Sequence, residues 1–231
     1  MPEHHAPDEI LIAYAAGSLG ASESLLVACH LTLCPRCRHL VADAEAVGAA
    51  LLAAPAPAPA PAPASAPGLD AMLARLDQEA EEGEDTAGAP ATAAPAARPA
   101  AVDPRGIVPA PLFRLIGDVD SAPWRRLLRG IYSLDVPAPG DDKYVKLFRF
   151  EAGLRVPRHA HPGFEGTLVL SGGFTDDDGH HVRGDLSVLD ETRPHEQHID
   201  EDGPCTWLLV ADGAPIPRTL LGWIARLVLR A

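Results

Sequence analysis

The chain has 231 residues, which is enough for one large domain or two small ones. Its 19 basic and 32 acidic residues give a formal net charge of −13. This balance argues against a general binder of nucleic acid or of anionic membranes, since phosphate attracts lysine and arginine. Aromatic residues make up only 5% of the chain, against 24 prolines and 20 glycines. We therefore expect two modest hydrophobic cores with disordered chain between them.

No secretory or membrane-spanning segment is visible in the sequence. The N-terminus lacks a basic start and an apolar stretch, and the apolar runs elsewhere are short or carry charged residues. We expect a soluble, cytoplasmic protein. In that compartment the four cysteines, three of them between positions 29 and 37, indicate metal or redox chemistry rather than disulfide bonds.

The first 54 residues have the periodicity of helices. It predicts a helix over 8–17, a second beginning near Ser22, and a third from Pro35 to about residue 54, since proline is favoured at the first helical position. Alternating alanine and proline over 55–63 favours an extended polyproline conformation. Helical spacing returns over 68–82, which predicts a short fourth helix.

The remainder of the chain changes character. Residues 86–107 are rich in alanine, proline and glycine and are predicted to form a flexible linker. From residue 108 onward, apolar residues alternate with period two in short segments separated by glycine and aspartate turns. Such segments favour a small β-barrel or double-sheet sandwich, with 220–230 as a terminal helix. The predicted fold class is a multidomain chain, α followed by all-β.

The negative charge is concentrated in the helical part. Residues 1–85 hold 13 acidic and 3 basic residues, whereas 108–231 hold 18 acidic and 14 basic ones. The acidity therefore belongs mainly to the small helical region.

A first group of metal-binding residue types has the spacing His30-x3-Cys34-x2-Cys37. Thiolate and imidazole suit zinc, which prefers four ligands in a tetrahedron. His30 is predicted on the last turn of the second helix, Cys34 at the N-cap of the third and Cys37 at its third helical position. Both sulfurs would lie near a helix N-terminus, where the helix dipole stabilises thiolates.

The fourth ligand of this predicted zinc site is left open by the spacing alone. His39 follows Cys37 by two residues on the same helix and should point away from it. His4 or His5 could return from the N-terminal arm. Cys29 is expected to be a small buried apolar residue.

The His-x3-Cys-x2-Cys motif with an upstream histidine resembles the zinc-binding anti-sigma factor domain, over roughly residues 1–85. The upstream ligand of that family matches His5. The resemblance implies a four-helix module that binds a group IV (extracytoplasmic-function, ECF) sigma factor one to one and blocks its contact with RNA polymerase. The acidity of this region fits such a partner, because sigma factors have basic surfaces that meet DNA.

A second group has the spacing Gly153-x5-His159-x-His161-x3-Glu165-x6-Gly172. In a strand His159 and His161 point to the same side, and Glu165 can return across the adjoining turn. With one more histidine this makes a mixed nitrogen and oxygen site for zinc, iron, manganese or nickel.

The second group resembles the first cupin motif at every position. His195 is the expected fourth ligand and His198 is its rival. His180 and His181 fall in the predicted hairpin between the two motifs and are expected at the surface.

The two motifs together resemble the ChrR-type transcriptional regulators over nearly the whole chain. The predicted division is a helical zinc-binding anti-sigma domain over 1–85 with an Ala/Pro-rich insertion at 55–67, a linker over 86–107, and a cupin domain over 108–231. The resemblance implies that the first domain sequesters a sigma factor. It also implies that the cupin domain is needed for its release in response to singlet oxygen or organic hydroperoxides.

Two other functions compete with this interpretation. One is a dioxygenase-like cupin metalloenzyme with an accessory zinc domain, since three histidines and a glutamate can hold catalytic iron. The other is a protein that stores or senses metal without a sigma partner. The helical zinc domain serves no evident catalytic need, so we favour a regulatory protein that binds no nucleic acid itself.

Overall fold

The computed structural model describes residues 2–53, 68, 103, 106–137 and 140–217. The predicted insertion at 55–67, the rest of the helix predicted over 68–82, most of the linker predicted over 86–107 and the helix predicted over 220–230 lie outside the described residues. Within the described ranges, no helix is both long enough and apolar enough to cross a membrane.

Three helices occupy the N-terminal region, as predicted. They are α1 (Asp8–Ala15), α2 (Ala21–Leu33) and α3 (Pro35–Ala53). Gly17, with a φ of +67°, follows α1 in the left-handed conformation that glycine adopts readily. Only Cys34, in an extended conformation, separates α2 from α3. A further helix, α4 (Ala110–Ile116), was not predicted, because seven residues give too short a periodic signal.

The C-terminal part is built from antiparallel strands, which confirms the predicted all-β character. In the described part of the chain, the strands form two sheets, with the strand orders β1-β2-β3-β10-β5-β8 and β11-β4-β9-β6-β7. The strands are β1 (Arg125–Leu128), β2 (Ile131–Asp135), β3 (Tyr144–Phe150), β4 (Arg155–Ala160), β5 (Glu165–Ser171), β6 (Gly173–Asp176), β7 (Gly179–Val182), β8 (Leu186–Leu189), β9 (His195–Ile199), β10 (Cys205–Ala211) and β11 (Ile216–Pro217).

The neighbouring strands β5 and β10 of the six-stranded sheet are buried on both faces. Along β10, Trp207 and Leu209 point into the space between the sheets, while Leu208 and Val210 belong to a second apolar cluster that includes Leu26 of α2. Burial on both faces explains why β10 reads as a continuous apolar run rather than an alternating one. Two cores are present, but they are divided differently from the expectation: the helices share theirs with the outer face of the sheet.

The packing of α2 on this sheet depends on a close approach at Gly166 of β5. A Cβ atom at that position would lie 2.2 Å from Cδ2 of Leu26. Leu26 itself is 1% exposed. The helices and the barrel therefore meet through tightly packed apolar side chains rather than through solvent.

Candidate metal centres

The junction between α2 and α3 has the local geometry that the first motif predicts. His30 lies in the last turn of α2, and Cys34 is the extended residue between the helices. Pro35 begins α3, so that Cys37 is its third residue. The backbone N–H of Cys37 points at the sulfur of Cys34 at 3.5 Å, which makes Cys34 a helix cap.

Four side chains converge at this junction: His5, His30, Cys34 and Cys37. Nδ1 of His5 lies 3.3 Å from Sγ of Cys34 and 3.7 Å from Sγ of Cys37. Nε2 of His30 lies 3.2 Å from Sγ of Cys37. Ligand atoms on a tetrahedral zinc are roughly 3.3–3.8 Å apart, given the usual zinc–nitrogen and zinc–sulfur distances. The donor set and its spacing therefore fit zinc.

The protonation of this cluster also suits a cation. The Nδ1–H of His30 donates to the carbonyl of Gly184 at 2.9 Å, so that Nε2 carries the lone pair that faces the cysteines. Burial lowers the pKa of His30 to about 4 and raises the pKa of Cys37 to about 11. A neutral imidazole is ready to bind, while the buried thiol becomes a thiolate only with a positive charge beside it.

His4 is not part of this cluster. Its Nε2–H donates to the carbonyl of His180 at 3.2 Å, and His39 is exposed on α3. Cys29 is fully buried in the apolar core, as expected. Of the histidines that the sequence left open, the structure brings only His5 to the two cysteines.

A second cluster lies inside the barrel and brings together the side chains of His159, His161, Glu165 and His195. Nε2 of His159 and Nε2 of His195 are 3.1 Å apart. The oxygens of Glu165 lie 3.6 Å from Nε2 of His161 and 3.5 Å from Nε2 of His195. All four residues are buried.

Backbone carbonyls orient two of these imidazoles. The Nδ1–H of His159 donates to Pro157 at 3.0 Å, and that of His161 donates to Gly213 at 3.1 Å. Both Nε2 lone pairs therefore point into the cluster. Two nitrogens bound to one metal are about 2.9–3.4 Å apart, so the pair formed by His159 and His195 has the spacing of two ligands.

Burial keeps the isolated cluster uncharged. It lowers the pKa of His159 to about 3 and that of His161 to about 4, and it raises the pKa of Glu165 to about 8. A divalent cation would reverse the cost of ionising Glu165, because it supplies the missing opposite charge. The residues thus fit a metal ion, and their mixed donors suit several divalent metals.

The rival ligand His198 faces away from the cluster. Residues alternate along β9, so that His195 and Gln197 share the inner face while His198 lies on the other. There its Nε2–H donates to Glu196 at 3.0 Å.

A small cavity of about 70 Å³ adjoins the second cluster. Its walls are mainly apolar and include Phe148, Phe150 and Trp207. Gln197 also lines it, and the side-chain oxygen of this buried amide has no hydrogen-bond partner among the described residues. The cavity has room for a few water molecules or a very small ligand.

The expectation for His181 was wrong, whereas His180 is exposed as predicted. His181 is 1% exposed, its Nε2–H donates to Asp176 at 2.9 Å, and its ring stacks on Phe174 and His4. Its position on β7 turns the side chain inward, which a pair of adjacent histidines in a turn-rich segment does not reveal.

His4, His181 and Asp185 form a third group of possible ligands. The rings of His4 and His181 are stacked with centroids 4.0 Å apart, so that their in-plane lone pairs do not meet at one ion. Asp185 already accepts three backbone N–H groups, from Glu3, His4 and Val182. This group therefore joins the N-terminal arm to the barrel, and its geometry does not suit a metal ion. No local sequence signal marks the contact of Asp185 with the N-terminal arm.

Comparison with known proteins finds similarity both to the barrel alone and to nearly the whole chain. Residues 114–213 match the family described as the ChrR cupin-like domain. The anti-sigma-E factor ChrR of Cereibacter sphaeroides is 34% identical over 216 residues, which are 92% of this chain and 91% of that protein.

A solved structure is similar over the same extent. The crystal structure of Rhodobacter sphaeroides SigE in complex with the anti-sigma ChrR matches with a TM-score of 0.68 and 32% identity. The match covers 92% of this chain and 100% of that chain. The predicted order, a helical region followed by a cupin barrel, is thereby confirmed.

Proposed function

Since this chain belongs to the ChrR family of anti-sigma factors, we propose that it binds an ECF-type sigma factor one to one in the cytoplasm and keeps it from RNA polymerase. The observation that carries the proposal is the extent of the likeness to a ChrR crystallised with SigE, which runs through both the helices and the barrel. In this account the helical domain is the predicted 1–85 segment, and the barrel after the linker is the regulatory part.

Exposed apolar side chains on the helices supply a surface for the sigma factor. Ile12 of α1 is 59% exposed, and Leu40 and Val47 of α3 are 37% and 62% exposed. Large apolar groups left in water are typical of protein interfaces. The exposed acidic residues Asp43 and Glu45, also on α3, complement a basic partner and speed association.

The first cluster holds zinc as a structural ion. Four protein ligands leave no open position for a substrate, and a metal that joins the arm to two helices stabilises a domain this small. The second cluster holds zinc or another divalent transition metal. The ligands are His5, His30, Cys34 and Cys37 in the first site, and His159, His161, Glu165 and His195 in the second.

The barrel responds to oxidative stress, through singlet oxygen or an organic hydroperoxide. Oxidation that removes a ligand weakens the metal site and the fold built around it. Because the outer face of the barrel sheet packs against α2, such a change reaches the helices that hold the sigma factor.

Binding of the cognate sigma factor to the full chain tests this function. We expect Val47→Asp to weaken the complex about tenfold or more in a calorimetric titration, because it places a charge in an apolar contact. Leu128→Asp is the matched control, since Leu128 is 39% exposed but lies on β1 of the barrel.

The possible outcomes test the proposed contact surface and the proposed function separately. Wild-type affinity in both variants would contradict the proposed contact surface. Failure of the wild-type chain to bind the sigma factor would contradict the function itself.

The cavity beside the second cluster favours one other candidate, a dioxygenase-like cupin enzyme. Its volume of about 70 Å³ restricts the candidate to very small substrates. Oxygen uptake by the iron-loaded chain without any sigma partner would support this alternative over the regulator.

A further inference from the structure

Part of the surroundings of the first metal cluster comes from the barrel. The carbonyl that accepts the Nδ1–H of His30 belongs to Gly184, in the turn between β7 and β8, 154 residues further along the chain. This bond sets the tautomer and the ring orientation of His30, and both groups are buried. The helices alone do not provide it.

Asp185 holds the N-terminal arm next to His5. Its Oδ1 accepts the backbone N–H of Glu3 at 2.6 Å and that of His4 at 3.0 Å. The backbone N–H of Leu186 donates to the carbonyl of His4 at 3.2 Å. The residue before His5 is therefore fixed at both its N–H and its carbonyl. Asp185 is 1% exposed, and these backbone donors supply the hydrogen bonds that a buried carboxyl group needs.

Gly184 permits this close approach. Its φ of +95° is strained for a residue with a side chain, and a Cβ there would lie 2.8 Å from Cγ of Pro2 and 3.4 Å from Cβ of Leu33. The N-terminal arm and the end of α2 thus pack directly against the backbone of Gly184. A side chain at this position would push the arm away from the barrel.

We propose that Gly184 and Asp185 are positioning residues of the first metal site, supplied to it by the barrel. The proposal rests on the metal binding that we propose for that site. Gly184 orients His30 through its carbonyl, and Asp185 orients His5 by fixing the backbone before it. Two of the four ligands are therefore held in place by a different part of the molecule.

This arrangement links the two metal sites by a short path. Leu186, next to Asp185, pairs with Leu168 of β5, the strand that begins at Glu165 of the second site. If the turn that carries Gly184 and Asp185 moves, the first site should bind its metal more weakly. Because coupling between sites is reciprocal, metal bound in the first site should also strengthen the contact between the N-terminal arm and the barrel.

Cobalt(II) substitution tests the proposal on the full chain. Only the first site contains cysteine, so only it gives the thiolate-to-cobalt charge-transfer absorption. We expect Asp185→Ala to lower the cobalt affinity measured from this band by about 10- to 100-fold, the range found when outer partners of metal ligands are removed. Asp190→Ala is the matched control, because Asp190 caps a barrel turn at Thr192 instead of the arm.

A second pair of variants tests the same idea at the backbone. Gly184→Ala should weaken the band, whereas Gly117→Ala, which has a φ of +69° and no atom within 4 Å of the added Cβ, should not. If Asp185→Ala does not fold, Asp185→Asn keeps one acceptor oxygen and should show a smaller loss of affinity.

The failures can be told apart. Wild-type cobalt affinity in folded Asp185 and Gly184 variants overturns the positioning role alone. Absence of the band in the wild-type chain overturns the metal site on which the role rests.

Discussion

His30 is held at both ring nitrogens. One nitrogen donates to a carbonyl of the barrel, and the other faces the sulfur of Cys37 at 3.2 Å. Burial favours the neutral forms of the imidazole and of the thiol. A bound cation would change this, because it favours the thiolate form of Cys37 and accepts the lone pair of the His30 imidazole.

Replacing both cysteines of the proposed zinc site tests this at the level of single side chains. We expect Cys34→Ser with Cys37→Ser to lose one metal ion per chain and to lose sigma binding, because the arm and two helices are no longer tied together. Metal content by mass spectrometry and a pull-down of the sigma factor measure the two effects. Cys29→Ala is the control and should keep both, since Cys29 lies in the apolar core. Normal sigma binding by a metal-free double variant would rule out a structural zinc.

At the scale of elements, α2 depends on the barrel for its start. Its N-cap residue, Gly20, provides no side-chain hydrogen bond. Asp141, in the segment before β3, takes that place by accepting the backbone N–H of Ser22 at 2.9 Å and its hydroxyl at 2.5 Å. Lys143 adds an ion pair to Glu23 at 3.0 Å. The helix is thus capped by a part of the chain more than a hundred residues away.

Removal of this cap should destabilise the fold. We expect Asp141→Ala to lower the free energy of unfolding by about 0.5–2 kcal/mol, the usual value of a helix N-cap. Denaturant unfolding of the full chain measures it. Asp190→Ala removes an exposed turn contact within the barrel and should have a smaller effect. Equal effects of the two changes would show that the cap contributes no more to stability than an exposed turn contact.

Local patterns predicted most of the elements and most of the residues that converge in the two clusters, while the choice of His5 over His4 came from the family resemblance. Cys34, Pro35 and Cys37 lie within one turn of helix, so their spacing alone defines their geometry, and His159 and His161 share a strand face for the same reason. The short helix α4 was missed because it is too short. His181, Gly184 and Asp185 were missed because their roles depend on contacts with residues far away in sequence.

At the scale of the molecule, the helices and the barrel share one apolar cluster. It runs from Leu11 and Leu26 to Leu147 and Leu208. A change at the proposed metal site of the barrel would therefore be passed to the face on which α2 rests. The shared cluster gives the proposed release of the sigma factor a route from the barrel to the helices.

Loss of the barrel site should separate binding from release. We expect His159→Ala with His161→Ala to keep the sigma factor bound but to fail to release it when oxidant is added, because the responsive metal site is gone. His198→Ala is the control, since His198 lies on the opposite face of β9. Sigma-dependent transcription before and after the oxidant measures the response. Normal induction in the double variant would place the sensor elsewhere.

Native mass spectrometry of the full chain, produced together with its cognate ECF-type sigma factor, tests most directly whether the chain binds such a factor. We expect a complex of one chain with one sigma factor that carries two metal ions. A folded, metal-bearing chain that remains without sigma factor at micromolar concentrations of both would contradict it.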